Sequence, residues 1–318
     1  MLAVVKKASL LLVAIVTGAA AITTGAQTPT QRPGVRPVTI PISIFTKQEL
    51  RDGQTEEYVQ ANRLIVKEDN DEQEILSIRS VSDSPMSIAI VIQDDLTNNF
   101  NLQLKDIAQF IRDLPRGTRV MVAYARSGSI QVRQKFSDDR EAAAASLRIV
   151  TANASSGPRS PYSSIEEVTS RFEAMPAGRR AILLFSDGLD TTGGLNLASI
   201  SQSFDLDQAI LKSQRRSIAV YSFYSPTAVT ERGSSLFSLG AQGALQKLSD
   251  ETGGRAFFSG SQAPVSFLPY FKDLNLSLNR QFALTYLSTH MKKGYHKVSV
   301  TSTNPEVKIE HPRGYYHR

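Results

Sequence analysis

The segments SIAIVIQDDLTNN, residues 87–99, and AILLFSDGLD, residues 181–190, decide the fold of this chain. Each carries an unbroken apolar run that stops at an acidic loop: Ile88 to Ile92 before Gln93-Asp94-Asp95, and Ala181 to Phe185, in the strand expected over Arg180 to Phe185, before Ser186-Asp187-Gly188-Leu189-Asp190. Runs of this kind suit central strands covered on both faces. Between and after them the pattern alternates. Ile107, Phe110, Ile111 and Leu114 recur at helical spacing and stop at Pro115 and Gly117, which marks a helix and its end. Strands are predicted over 119–125, 130–136, 218–223 and 255–258, with the first two hairpin-connected across Ser127-Gly128. Helices are predicted over 139–149, 163–172, 206–214 and 241–252. Strand and helix alternating over about 175 residues predict an α/β fold: a doubly wound, mostly parallel, Rossmann-like sheet with one antiparallel edge strand.

The flanks read differently. Val38, Ile40, Ile42 and Ile44 alternate as in a half-buried strand, and runs at 62–67 and 74–81 bracket the polar turn Glu68 to Glu72. After a helix near 265–278, strands return at 282–287, 297–301 and 307–310, with Tyr315 and Tyr316 closing the last one. Residues 49–74 carry nine acidic and three basic side chains, residues 264–318 three acidic and eight basic. The two ends are therefore expected to meet in a small β-sandwich with the α/β region inserted between them. The domain organisation read from the sequence is a signal peptide at 1–26, a lead-in at 27–37, an N-terminal β segment at 38–85, an α/β domain at 86–262, and a C-terminal helix and β segment at 263–318.

In doubly wound sheets ligands bind at the carboxyl ends of the strands, near the point where strand order reverses. Both acidic loops fall there, and a pair of carboxylates on neighbouring strand ends is a hard-oxygen arrangement suited to Mg²⁺. An equally simple reading makes Asp94 a helix cap and Asp187 an Asx-turn in which Gly188 supplies a positive φ.

The apolar strand, acidic loop, hairpin strands, polar loop before a helix and ILLFSDG at 182–188 resemble a von Willebrand factor A (VWA) domain. The similarity continues through FALTYLS from Phe282 to the RGYY ending at Tyr316, and the whole arrangement resembles exported VWA-related proteins of soil bacteria (acidobacterial type). Such domains bind protein ligands, often through a metal-ion-dependent adhesion site with D-x-S-x-S after the first strand, a Thr in a second loop and an Asp after the fourth strand. The resemblance implies a degenerate version here: Asp94, Asn98, Ser160 and Asp187 as Mg²⁺ ligands, with Leu96 where the first Ser belongs. An alternative register uses Asp95 and Thr97. Asp94, Asp95, Asn98, Ser160, Asp187 and Asp190 would form the partner-binding face. The partner is expected to be a protein, not identified by the sequence.

The N-terminus places Lys6 and Lys7 before an apolar run at 8–22 and small residues at Thr24 and Ala26, the pattern of a cleavable secretory signal. The chain is thus expected to be exported, periplasmic or at the cell surface, with no stable membrane span once the signal is removed. Two of the 36 Lys and Arg lie in that leader, leaving 34 against 30 Asp and Glu over 292 residues. No basic run is interleaved with aromatics, so nucleic acid is not an expected partner. Cysteine is absent, which excludes disulfides, thiolate metal sites and Cys nucleophiles.

G-x-S-x-G, Walker and H-E-x-x-H motifs are missing. His290, His296, His311 and His317 fit no common zinc spacing and are expected at the surface. A Mg²⁺-dependent phosphatase would use Asp94 as nucleophile but needs an acid at position 96, which is Leu. The expectation is a non-catalytic binding module, with a metal-independent structural module of an envelope assembly as the alternative and the phosphatase as a remote one.

Overall fold

The computed structural model describes residues 34–46, 64–81, 84–152, 159–176, 178–194, 203–233, 235–260 and 262–317. The expected signal peptide, most of the lead-in and most of the acidic stretch 49–74 lie outside the described residues. Two sheets organise the rest.

The first sheet contains β4 (Met86–Gln93), β5 (Arg119–Arg126), β6 (Ser129–Ser137), β7 (Arg179–Ser186), β8 (Ala219–Tyr224) and β9 (Ala256–Phe257) in the order β6-β5-β4-β7-β8-β9. All pairs are parallel except β5 with β6, a hairpin at one edge. Strand order runs one way from β4 through β5 and the other way from β7 onward. The reversal therefore falls between β4 and β7, whose acidic loops leave side by side.

Every residue of β4 is buried because the sheet is covered on both faces. Ile88, Ile90 and Ile92 point to the layer that holds Ile107, Phe110 and Ile111 of α1 (Leu104–Asp113). Ala89 and Val91 face α3 (Pro161–Arg171), α4 (Phe204–Arg215) and α6 (Ser235–Thr252) through Ile165, Val168, Leu206, Ala209, Leu245 and Leu248. This is the period-two alternation of a strand read on both sides.

Three helices differ from the sequence reading, α6 by beginning at Ser235, six residues before the expected start at 241. The helix expected over 139–149 is α2 (Arg140–Ala145), capped by Asp139, whose carboxylate accepts from Ala142 N at 2.9 Å. It stops early because Tyr124 Oη engages both the N–H and the C=O of Arg148 at 2.7 Å and draws that stretch out of the helix. Between β8 and α6, where the sequence reading placed no element, lies α5 (Ala228–Arg232), held by a capping box between Thr227 and Thr230.

The flanks form the second sheet. It contains β1 (Arg36–Thr46), β2 (Leu64–Glu68), β3 (Asp71–Ser80), β10 (Gln281–Ser288), β11 (Gly294–Ser302), β12 (Val307–Glu310) and β13 (Gly314–His317) in the order β12-β1-β10-β3-β2-β11-β13. All its pairings are antiparallel. N-terminal and C-terminal strands interleave: β10 lies between β1 and β3, and β11 pairs with β2. The sheet curls and buries its own inner face, with Val38, Ile40, Ile42, Val66, Leu284, Tyr286, Val298 and Val300 in one cluster. The β2–β3 connection is tighter than the polar stretch suggests. Asp69 (φ 49°) and Asn70 (φ 77°) both adopt the left-handed region, as a two-residue type I′ hairpin requires.

The helix α7 (Leu268–Asn279) leads into β10 but packs against the parallel sheet. Phe267, Phe271, Leu274 and Leu278 share the core of β4 and β7.

Candidate functional site

At the strand reversal, the chain folds four loops into one buried polar cluster. β4 ends at Gln93, whose amide serves two elements. Its Oε1 accepts from Ser186 Oγ and, at 3.2 Å, from the Asp187 N–H, while its Nε2 donates to Asp95 Oδ1 at 2.8 Å. Asp187 is completely buried. Its Oδ1 accepts from Leu189 N at 3.0 Å, the Asx-turn, and Gly188 turns there with φ +71°. Its Oδ2 accepts from Thr227 Oγ1 at 2.7 Å.

Between the two carboxylates sits Arg159, 6% exposed. Nη1 lies 2.9 Å from Asp95 Oδ2 and Nη2 lies 3.2 Å from Asp187 Oδ2. Backbone contacts hold the Arg159 loop in place: Arg159 N donates to Thr191 Oγ1 at 2.9 Å and Thr191 N donates to Arg159 O at 2.8 Å. A planar guanidinium is suited to spanning two carboxylates. Burial pushes the Asp187 carboxyl above its ordinary range, and the Arg159 charge and the Thr227 hydroxyl pull against that rise.

Asp94 points elsewhere. Arg148 Nη1 meets its Oδ1 at 2.7 Å and Arg126 Nη1 lies 3.8 Å from its Oδ2. Arg148 also stacks on Tyr124, 4.1 Å from the ring centroid. The hydrogen bond it donates to Asp94 is the main reason the Arg148 guanidinium holds its proton more tightly than usual.

The four residues expected as Mg²⁺ ligands are therefore not joined as a ligand set. Asp94 belongs to Arg148, and Asn98 is exposed at the start of a 3₁₀ turn over Asn98–Gln103. Ser160 is buried at the head of α3 with its hydroxyl unpartnered. Only Asp187 lies in the cluster, and it is engaged by Arg159. The carboxylate that faces it is Asp95, so the strand-end spacing falls on Asp95 and Thr97 of the alternative register, one residue after Asp94. The physical reason is the strand's length: β4 continues through Gln93. Thr97 is buried with an unpartnered hydroxyl, and Leu96 is fully buried in the core.

Asp190, expected on the binding face, is 3% exposed and committed to its own loop. It accepts from Thr192 N at 2.9 Å, from Thr192 Oγ1 at 2.6 Å and from Ser203 Oγ.

A divalent ion does not fit these donors. Both Asp187 oxygens and the outer oxygen of Asp95 are used by the chain, and the position between them is filled by a positive charge. Sequence reasoning missed Arg159 and Gln93. Arg159 stands beside Ser160 in the polar loop and Gln93 ends the apolar run, but neither residue type is a metal donor that a ligand pattern would select.

The turn at Gly188 tolerates no side chain. A Cβ there would lie 2.6 Å from Ala241 O and 2.6 Å from Leu245 Cγ on α6. Gly188→Ala is expected to cost about 2–4 kcal/mol, combining left-handed strain with overpacking. A urea midpoint unchanged from wild type would show that the loop and α6 can separate.

No protein-family model matches the chain, and no curated protein matches it in sequence. Solved structures with a similar fold include an aerotolerance-related membrane protein from Bacteroides fragilis NCTC 9343, at 15% identity and TM-score 0.41, covering 61% of this chain and 98% of that one. The SpRpn10 VWA domain is similar at 11% identity and TM-score 0.38, over 60% of this chain and 94% of that one. The ArnB paralog VWA2 from Sulfolobus acidocaldarius is similar at 10% identity and TM-score 0.40, over 89% and 76%. At these identities the likeness assigns no ligand and no role to any residue.

Proposed function

We propose that this chain is an exported VWA-type binding module that captures a protein partner on the strand-end face without a metal ion. One observation supports this most directly. The carboxylates at the strand ends are neutralised from within, Asp95 and Asp187 by Arg159 and Asp94 by Arg148, while apolar side chains on the elements leaving those strand ends face solvent. Leu102, Ile149, Phe204 and Leu239 are 76%, 64%, 74% and 61% exposed. Exposed apolar side chains beside a centre with no unpaired charge supply the apolar area that a protein-docking surface buries.

Export rests on the leader reading of residues 1–26, with the periplasm or the cell surface as destination. Among the described residues no helix is long and apolar enough to cross a membrane. The structural-module reading shares the same surface and differs in whether the partner is a permanent neighbour. The phosphatase reading loses support, because the Asp94 carboxylate is held by Arg148 and position 96 is a core leucine.

Calorimetric titration of the mature protein with Mg²⁺ and Mn²⁺ is expected to give no binding heat. Saturable heat that disappears in Asp187→Ala would overturn the metal-independent reading. For the partner, photo-crosslinkers at Leu102 and Leu239 in the native host are expected to give discrete adducts that survive chelator. A crosslinker at Lys135, exposed on the edge strand β6, serves as control. Adducts at Lys135 alone would place the docking surface elsewhere.

A further inference from the structure

The curled sheet gathers histidines that the sequence scatters. β11 pairs with both β2 and β13, and so carries His296 to the Asp69 turn and beside Tyr315. His290 follows β10 into the same corner, its ring centroid 5.9 Å from that of His296. Contrary to the surface placement expected for it, His296 is 4% exposed.

One ligand atom each from Asp69, His290 and His296 lies within 4.8 Å of the other two. We propose that these three residues form a transition-metal site of the zinc class, independent of the strand-end cluster and of the function proposed for it.

Three features point to a bound cation. First, His296 Nε2 faces the Lys292 carbonyl oxygen at 2.6 Å, while Nδ1 faces Asp69 Oδ2 at 2.8 Å. A ring that donates Nε2–H to a carbonyl leaves Nδ1 with a lone pair, the arrangement in which a backbone oxygen orients a metal-binding imidazole. That lone pair and a carboxylate oxygen at 2.8 Å repel each other unless a proton or a metal ion lies between them. Second, His290 Nε2 is buried without a hydrogen-bond partner, although Asp71 Oδ2 lies 3.3 Å away. Third, the neighbouring Glu68 is a fully buried carboxylate whose Oε1 accepts from Ser288 Oγ at 2.9 Å and Tyr315 Oη at 2.6 Å and whose nearest Arg, Arg36 Nη2, stands 4.0 Å off, so a cation in the corner would balance its charge. Glu68 Oε1 also lies 3.4 Å from His296 Nδ1. Unsatisfied buried polar atoms need an explanation, and an ion is one.

The donor set of two imidazoles and a carboxylate suits Zn²⁺ and related ions rather than Mg²⁺. Tetrahedral ligands at bond lengths of about 2.0–2.1 Å stand about 3.3–3.5 Å apart, so on loading the 2.8 Å contact between His296 Nδ1 and Asp69 Oδ2 must open by roughly half an ångström, and the wider spacings, up to 4.8 Å, must close. Asp69 comes from the N-terminal flank and both histidines from the C-terminal one, so a bound ion would clamp the two flanks together.

The full mature chain, stripped with EDTA, is titrated with Zn²⁺ in competition with a chromogenic chelator and, separately, followed by thermal melting. One equivalent is expected to bind and raise the melting temperature, since an ion that binds only the folded state stabilises it. His290→Ala and Asp69→Asn are each expected to weaken Zn²⁺ at least tenfold, and Lys135→Ala, exposed on the edge strand of the other sheet, to leave it unchanged. Co²⁺ in the unmutated chain should give the intense visible absorption of a four- or five-coordinate site, a readout that needs no variant to fold. Absence of a Zn²⁺-dependent melting shift, a pale octahedral Co²⁺ spectrum, or affinity indifferent to both substitutions would overturn the site and leave the shared proton as the reason for the 2.8 Å contact. A metal-free strand-end face with a loaded histidine corner is the expected joint outcome, and either can fail alone.

Discussion

Arg159→Met is expected to lower folding stability by about 3–5 kcal/mol at pH 7, because removing one member of a buried ion cluster leaves the others charged and unpaired. Among the described residues the guanidinium is the one cation paired with Asp95 Oδ2, and it shares Asp187 Oδ2 with Thr227. Without it two carboxylates face each other at a site with almost no access to water. Asp187 is already pushed up by burial, with the Asp95 charge adding to the rise and Arg159 opposing it. Removing the opposing charge raises it further. A carboxyl whose folded pKa exceeds its unfolded value contributes stability that is complete below the unfolded pKa, about 3.9, and lost as pH rises through the folded value. The deficit of Arg159→Met should therefore be greatest at neutral pH and shrink on acidification as Asp187 takes up a proton. Urea unfolding at pH 7.0, 5.5 and 4.5 measures this; a deficit independent of pH would show that Arg159 acts through packing alone.

The compensated variant sharpens the test. Arg159→Met combined with Asp95→Asn and Asp187→Asn removes all three charges, and replacing a whole buried ion cluster by neutral groups is often close to neutral in stability. Recovery of most of the lost stability would identify unpaired charge as the cause. It would also separate the cluster's structural role from partner binding, since the apolar rim at Leu102 and Leu239 is untouched.

The parallel sheet was legible because its strands are buried on both faces: Ile88 to Ile92 and Ala181 to Phe185 have nowhere to go except the middle of a covered sheet. The Asp187–Gly188 turn was legible for a similar reason, since an Asp-Gly pair at a strand end has a local backbone meaning. The site was less so. Whether β4 stops before or after Gln93 cannot be read from apolar patterning, because the amide is polar yet fills an interior place by bonding Ser186 and Asp187. Arg159 is an isolated cation in a polar loop, and its partners are 64 and 28 residues away in sequence. The histidine corner depends on the register of β11 against β2 and β13, information held in long-range pairing and invisible to spacing along the chain.

The helix boundary near residue 265 poses the same problem in the core. Phe267 and Leu268 are adjacent and equally apolar, and nothing local says which one points inward. In the structure Phe267 is fully buried and Leu268 is 54% exposed. The Phe267 ring lies 5.3 Å from Phe185 on β7, 5.7 Å from Phe223 on β8 and 6.1 Å from Phe100. Its backbone begins α7 by accepting from Phe271 N at 2.9 Å, and its own N–H donates to Asp106 of α1 at 3.3 Å. Phe267 therefore fastens the segment that carries the chain from the parallel sheet to β10. Phe267→Ala is expected to cost about 3–5 kcal/mol through lost transfer energy and the cavity left among rigid rings, whereas Leu268→Ala should cost under about 1 kcal/mol. Because β10 lies between β1 and β3, opening at Phe267 should also loosen the flanks. Hydrogen exchange in Phe267→Ala is expected to accelerate at the β10 amides as well as in α7. Acceleration confined to α7, with β10 as protected as in wild type, would show that the curled sheet holds itself together without the helix that leads into it.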